Sequence, residues 1–219
     1  MRTTYFISAC ALILAVGGAS GKVSADGSVV AWGRDVEGQT SVPPPNAGFV
    51  AVAGGGVHSL GLKADGSVVA WGRNGEGQLN VPAPNSGFIA IAAGEGHSLG
   101  LKSTGTIAAW GFNSDGQINV PSPNSNYVAI AAGENHSLGL KSDGSVYGWG
   151  NNSHGQATVP EPNSGFVAIG AGEKHSIGLK SDGSIVAWGA GLTNTGVFPE
   201  HGQRMIPAPN TGFVAIAAG

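Results

Sequence analysis

Residues 127–165 read YVAIAAGENHSLGLKSDGSVYGWGNNSHGQATVPEPNSG, and this 39-residue stretch returns along the chain almost letter for letter. Tryptophans stand at 32, 71, 110, 149 and 188, each 39 residues after the last. A fixed period near 40 residues marks an array of like units, so the fold is that of one unit and of how its copies stack. The other landmarks keep step. The glycine of an Ala-x-Gly element, Gly-Ala-Gly in the fourth copy, is Gly55, Gly94, Gly133, Gly172 and Gly219. A His-Ser pair starts at His58, His97, His136 and His175, a Gly-Gln step ends at Gln39, Gln78, Gln117 and Gln156, and a Val-Pro step ends at Pro43, Pro82, Pro121 and Pro160. Gln203 and Pro207 each follow their predecessors by 47 residues, so the last unit carries an insertion of eight.

Within a unit the apolar residues alternate, as in Val128 and Ile130, Leu138 and Leu140, then Val146, which is the pattern of half-buried strands. About three strands per unit are expected. The second and third meet across Lys-Ser-Asp-Gly-Ser, and Asp-Gly is a strong hairpin signal because glycine accepts a positive φ without steric cost. One copy, Ser103-Thr104-Gly105, has Thr for Asp and keeps the glycine. The polar loop after the third strand ends in Val-Pro-x-Pro-Asn, and its prolines, which cannot donate to a ladder, place it between sheets or on an edge. No stretch after the N-terminal segment carries a helical apolar stripe of useful length. Small antiparallel sheets repeated at this interval close best radially, each packed face to face with the next, and the 39 glycines suit such close packing. The expectation is an all-β fold, a β-propeller of 39-residue repeats with about five blades present. A linear β-solenoid competes, but its rungs usually need only about 20 to 30 residues.

The pattern AxG-x-x-HS-L-x-L-x-x-DG-x-V-x-x-WG-x-N-x-x-GQ, which the unit quoted above carries in full, resembles the repeat of the regulator of chromosome condensation family. The match extends from Asp26 nearly to Gly219. The resemblance implies a propeller, usually of seven blades, and the short unit with its Val-Pro ending looks closer to a secreted bacterial branch that includes a β-lactamase inhibitory protein. Against seven blades the five Trp-Gly elements form an incomplete ring, and the chain reaches Gly219 where the next His-Ser strand is due. The expectation is a piece of a longer reading frame. The alternative is a partial ring that self-associates to cover its edges.

Residues 1–25 stand apart from the array 26–219. Arg2 supplies a positive start, an apolar run of 11 residues spans positions 6–16, and small residues follow, the pattern of a secretory signal peptide too short for a membrane span. Ala25 is the expected cleavage position and Ala19 the second choice. Cys10 lies inside the apolar run, where a lipid-attachment cysteine would follow it, and it is the sole cysteine. The exported chain would thus lack disulfides, a thiol nucleophile and a cysteine-ligated metal. Removing Arg2 and Lys22 from the ten basic residues leaves eight against 13 acidic ones, a formal charge of about −5. That balance argues against a nucleic-acid partner, which needs clustered Lys and Arg, and against carrying over the chromatin-bound or nucleotide-exchange role that the resemblance implies.

Residues present in every unit serve the unit first. His58, His97, His136 and His175 could be read as a ring of ligands or bases, but one per unit at the same strand start, each followed by serine, reads better as an imidazole hydrogen-bonded within or between blades. Trp32, Trp71, Trp110, Trp149 and Trp188 read as packing between blades, and Lys63, Lys102, Lys141 and Lys180 as solvated hairpin ends. No catalytic, phosphate-binding or calcium-loop motif stands out, and neither a cofactor nor a metal is implied.

What differs between units falls in two loop sets. One is the pair before each histidine: Gly56-Val57, Glu95-Gly96, Glu134-Asn135 and Glu173-Lys174. The other follows each Trp-Gly. Together with the insertion it supplies the candidate binding residues Arg34, Arg73, Glu76, Phe112, Asp115, His154, Phe198 and His201. Rigid scaffolds present ligands on such tips. The sequence therefore reads as a secreted or periplasmic non-catalytic propeller that binds a protein or glycan. The alternative, implied by the resemblance, is an inhibitor of a secreted hydrolase such as a β-lactamase, for which the aromatic and arginine anchors are few. More remote are an exchange factor-like or an enzymatic propeller.

Overall fold

The computed structural model describes residues 19–24, 26–191, 194–197 and 199–219, with side chains for all of these except 19–22, 194–197, 200 and 201. The greater part of the expected signal peptide, with Arg2 and Cys10, lies outside the described residues, and so does Phe198.

Every described regular element is a strand. β1 (Ala19–Val23) and β2 (Val29–Gly33) form a hairpin, and four units of three strands follow. These are β3 (Phe49–Gly54), β4 (His58–Lys63) and β5 (Val68–Gly72), then β6 (Phe88–Ala93), β7 (His97–Lys102) and β8 (Ile107–Gly111). The third unit holds β9 (Tyr127–Ala132), β10 (His136–Lys141) and β11 (Val146–Gly150), and the fourth β12 (Phe166–Ala171), β13 (His175–Lys180) and β14 (Ile185–Gly189). The insertion contributes the short pair β15 (Asn194–Val197) and β16 (Glu200–His201). Each unit is an antiparallel meander, so the structure is a set of four three-stranded blades of an incomplete propeller, as the alternation and the Asp-Gly turns predict. At the turn between β10 and β11, Gly144 has φ 81° and the Asp143 carboxylate accepts from the Ser145 N–H at 2.9 Å.

The array also begins earlier than the sequence pattern shows. Ala19 stands 39 residues before His58, and β1 pairs with β2 in the register of the later units, Ser20 opposite Trp32 as Ser59 is opposite Trp71. Only Ser20 and Val23 of the His-Ser-Leu-Gly-Leu strand survive in Ala-Ser-Gly-Lys-Val, too little to read as a repeat. Cleavage after Ala25 would remove β1, and cleavage after Ala19 would leave most of it.

The core lies in the seams between blades. Leu60, Leu62 and Val68 of one sheet form a single buried cluster with Phe88, Ala93 and Trp110 of the next, and the same arrangement returns one unit later. Three side-chain links cross each seam between neighbouring three-stranded blades. Trp110 Nε1 donates to the Gln78 carbonyl at 2.9 Å, Ser98 Oγ donates to the same carbonyl at 3.1 Å, and His58 Nε2 lies 2.8 Å from Ser98 Oγ. Because the serine hydrogen is already given to the carbonyl, the imidazole carries its proton on Nε2 and donates it. Trp71, Trp110, Trp149 and Trp188, each donating to a glutamine carbonyl, are at most 7 % exposed, whereas Trp32 is 46 % exposed.

The Val-Pro-x-Pro-Asn loop closes the outer edge of each blade. Asn85 Oδ1 accepts from the Val68 N–H at 2.7 Å and its Nδ2 donates to the Val68 carbonyl at 2.8 Å, so a side-chain amide stands in for a fourth strand. Asn210 does the same for Ile185 across 25 residues instead of 17, which absorbs the eight-residue insertion.

The lysines at the hairpin ends, read from the sequence as solvated, are partly exposed at Lys63, Lys102 and Lys180 and buried at Lys141, and they fold back over their own blades. Lys102 Nζ lies 3.6 Å from the centre of the Phe88 ring and donates to the Pro84 carbonyl at 2.8 Å, and Lys141 is buried between Tyr127 and Tyr147. The aliphatic stem covers the strand end while the ammonium satisfies carbonyls that the prolines leave free. Among the described residues no helix is long and apolar enough to cross a membrane.

Candidate functional site

Antiparallel pairing brings the two variable loop sets to one end of the sheets. His58 opens β4 opposite Gly72, which closes β5, so the Gly56-Val57 turn and the loop after Trp71 leave from the same edge. The next two blades repeat this with His97 opposite Gly111 and His136 opposite Gly150. The Asp-Gly turns and the Pro-Asn clips lie at the other end.

Directly under this face sits the row of histidines. His58, His97 and His136 are fully buried, and burial holds their imidazoles well below the usual value, to about 4 for His58 and about 3 for the other two. His175, less buried, is lowered for the same reason. The neutral imidazoles of His58, His97 and His136, which each donate to the next blade, act as seam links. Among the described residues no cluster of three or more His, Cys, Asp or Glu could hold a metal ion. The Ala-x-Gly glycine leaves room for them: a Cβ on Gly94 would lie 2.3 Å from His97 Cε1 and 2.4 Å from the Gly133 carbonyl oxygen.

Each loop after Trp-Gly folds on its own glutamine. Gln78 Oε1 accepts from the Glu76 N–H at 2.9 Å, and Gln117, Gln156 and Gln39 do the same for Asp115, His154 and Glu37. The amide oxygen is thereby committed, and flipping the amide would unpair the backbone donor. In two units the amide nitrogen also has a partner: Gln117 Nε2 reaches Asn135 Oδ1 at 3.4 Å and Gln156 Nε2 reaches Asn151 Oδ1 at 2.8 Å. Gln39 Nε2 and Gln78 Nε2 are buried with no hydrogen-bond partner.

Two adjoining cavities open on this face. One, of about 190 Å³, is walled by Arg73, Glu76, Gln78 and Phe112 from one loop set and by Val57, Glu95, Gly96 and Asn135 from the other. The second, of about 290 Å³, shares Val57 and Glu95 and adds Arg34, Glu134 and Glu173. Glu95 has its carboxyl pushed up, first by burial and then by the Glu134 charge, while Lys174 is ion-paired with Glu134.

Of the eight candidate residues, the structure brings Arg73, Glu76 and Phe112 together in the smaller cavity and places Arg34 in the larger. Asp115 lies outside both and accepts from Asn151 Nδ2 at 2.8 Å, and His154 Nδ1 lies 2.9 Å from Ser153 Oγ. Phe198 lies outside the described residues, and of His201 only the backbone, in β16, is described. Reasoning from the sequence passed over Gln78 because it recurs in every unit. The available signal was in its neighbours: Asn151 stands five residues before Gln156 and Asn135 eighteen after Gln117, whereas Gln78 has Arg73 and Gly96 at those offsets.

The regulator of chromosome condensation (RCC1) repeat is matched at residues 49–78, 88–117, 127–156 and 166–195. No curated protein sequence matches. Among solved structures, the ectodomain of the Physcomitrella patens receptor kinase CR4 is 24 % identical with a TM-score of 0.67, covering 78 % of this chain and 49 % of that one. Prp20p from Saccharomyces cerevisiae, described with its binding properties to Gsp1p and histones, is 25 % identical with a TM-score of 0.66, over 80 % of this chain and 56 % of that one. Human WBSCR16 is 21 % identical with a TM-score of 0.68, over 82 % and 61 %. The chain thus spans about half to three-fifths of the length of these structures. The matched repeats account for more than half of its residues, register by register with the four three-stranded blades, and the chain belongs to the regulator of chromosome condensation repeat family.

Proposed function

We propose that this protein is an exported, non-catalytic propeller that binds a protein or glycan through the loop tips at the histidine end of its blades. The observation that carries the reading is the convergence of both variable loop sets on two adjoining cavities, while the invariant His, Ser, Trp and Asn side chains are spent on the seams and edges. A scaffold that commits its repeated residues to packing leaves the tips to confer specificity. Protein binding by Prp20p, a neighbour of the same fold, supports a macromolecular partner. The acidic balance and the N-terminal segment support a partner other than nucleic acid, met outside the cytosol.

The test is binding of the labelled protein to protein and glycan arrays, with variants at each end of the blades. Arg73→Ala together with Phe112→Ala should abolish the signal, and Asp65→Ser together with Asp143→Ser, at the opposite turns, should leave it. Loss only with the second pair overturns the reading. Processing is checked by N-terminal sequencing of the exported chain, and an intact N-terminus on a cytosolic product would remove the exported part of the proposal.

A further inference from the structure

We propose that the cavity between Gln78 and Phe112 is a subsite for one neutral pyranose ring of a glycan, which deepens the functional reading above and rests on it. The array supplies its own controls. In the second and third units the buried glutamine nitrogen is satisfied by Asn135 or Asn151, whereas at Gln78 the corresponding positions are Gly96, which has no side chain, and Arg73, which is a second donor; Gln39, with Arg34 and Val57 at those positions, is unpaired as well. Gln78 is fully buried behind the cavity wall it helps to form, its Oε1 is fixed by the Glu76 N–H, and its Nε2 is unpaired. A buried donor without an acceptor is costly, so the site is built to receive an oxygen from outside the chain.

The rest of the wall narrows the chemistry. Arg73 adds donors, Glu95 and Glu76 add acceptors, and Asn135 offers both. With one cation against two carboxylates the cavity disfavours a free anion. Hydroxyl groups, which donate and accept at the same atom, match such a mixed wall. The half-buried Phe112 ring supplies a flat apolar surface for the C–H face of a sugar. The cavity, at about 190 Å³, is smaller than the roughly 300–1,000 Å³ that encloses a drug-sized ligand, which suits one ring of a longer chain.

The experiment titrates neutral oligosaccharides, those of glucose, galactose, mannose and N-acetylglucosamine, into the purified protein, following the side-chain amide resonances of Gln78 and the indole resonances of the tryptophans. At least one series should shift Gln78 Nε2 selectively. Arg73→Asn, which gives Gln78 the internal acceptor that Gln156 already has, should weaken binding by roughly tenfold or more while leaving the melting temperature unchanged or higher. Phe112→Ala should weaken it comparably, and Asp65→Ser should not. Absence of binding across the panel by a folded protein overturns the proposal, as does an Arg73→Asn variant that binds as well as the parent. If sugars fail while the Arg73 and Phe112 double variant still loses a protein on the arrays, the subsite is wrong and the loop-face reading stands. If binding to the arrays also survives that double variant, both fall.

Discussion

Tyr127 occupies the position held by Phe49, Phe88 and Phe166 in the other blades, and its hydroxyl is buried without a hydrogen-bond partner. Burial, and then neighbouring Tyr147, holds the phenol above its ordinary range, so the oxygen stays protonated and unsatisfied. Tyr127→Phe removes the orphan group and keeps the ring, and should stabilise the protein by about 1 kcal/mol in urea denaturation. Trp110→Phe is the converse case: it deletes the indole N–H and leaves the buried Gln78 carbonyl with one donor fewer, and should cost about 1 to 2 kcal/mol by the same measurement. At this scale the sequence was legible where a residue recurs, since recurrence in register marks a seam. It was not legible for the lysines, because a long side chain beside a turn reads as solvated until the ring beneath it is placed. Nor was it legible for Gln78, whose unpaired nitrogen follows from the two positions around it and not from the glutamine itself.

At the scale of the strand, alternation fixed the sheets and Asp-Gly fixed the hairpins, both being local signals. The first strand escaped notice because only two positions of its pattern survive in the sequence, Ser20 and the apolar Val23. The glycine that ends each inner strand is explained only by the neighbouring blade. A Cβ on Gly133 would lie 2.3 Å from His136 Cε1 and 2.4 Å from the Gly172 carbonyl oxygen, a clash with backbone that a side-chain shift cannot relieve. Gly133→Ala should therefore destabilise by about 3 kcal/mol, near the upper end for overpacking, while Gly155→Ala, whose Cβ would meet nothing within 4 Å but whose φ is 78°, should cost only about 1 kcal/mol. Thermal melts of the two variants side by side separate close approach from backbone conformation.

For the whole molecule the buried histidines set a response to acid. Their folded values lie near 4 for His58 and near 3 for His97 and His136, below the unfolded value of 6.5, so the unfolded chain binds more protons as the pH falls through that interval. Stability is full above pH 6.5 and declines towards the folded values, by about 1.4 kcal/mol per pH unit for each histidine once the unfolded imidazole is charged. The exposed Asp65, Asp143 and Asp182, lowered by their Ser hydrogen bonds from 3.8, add their loss only below that value. Unfolding free energies from denaturant titrations at pH 7.5 and pH 5 should therefore differ by several kcal/mol, and equal values would show the imidazoles to be accessible to protons in the folded chain.

Each seam between neighbouring three-stranded blades joins the same pairs of positions, histidine to the serine forty residues on and tryptophan to the glutamine thirty-two residues back. No blade therefore carries an address. A recombination event that excises or duplicates 39 residues in frame reconnects identical donors with identical acceptors, wherever in the unit the crossover falls. Copy number can then drift in a lineage without any compensating substitution, while the tips that ride on each copy diverge independently.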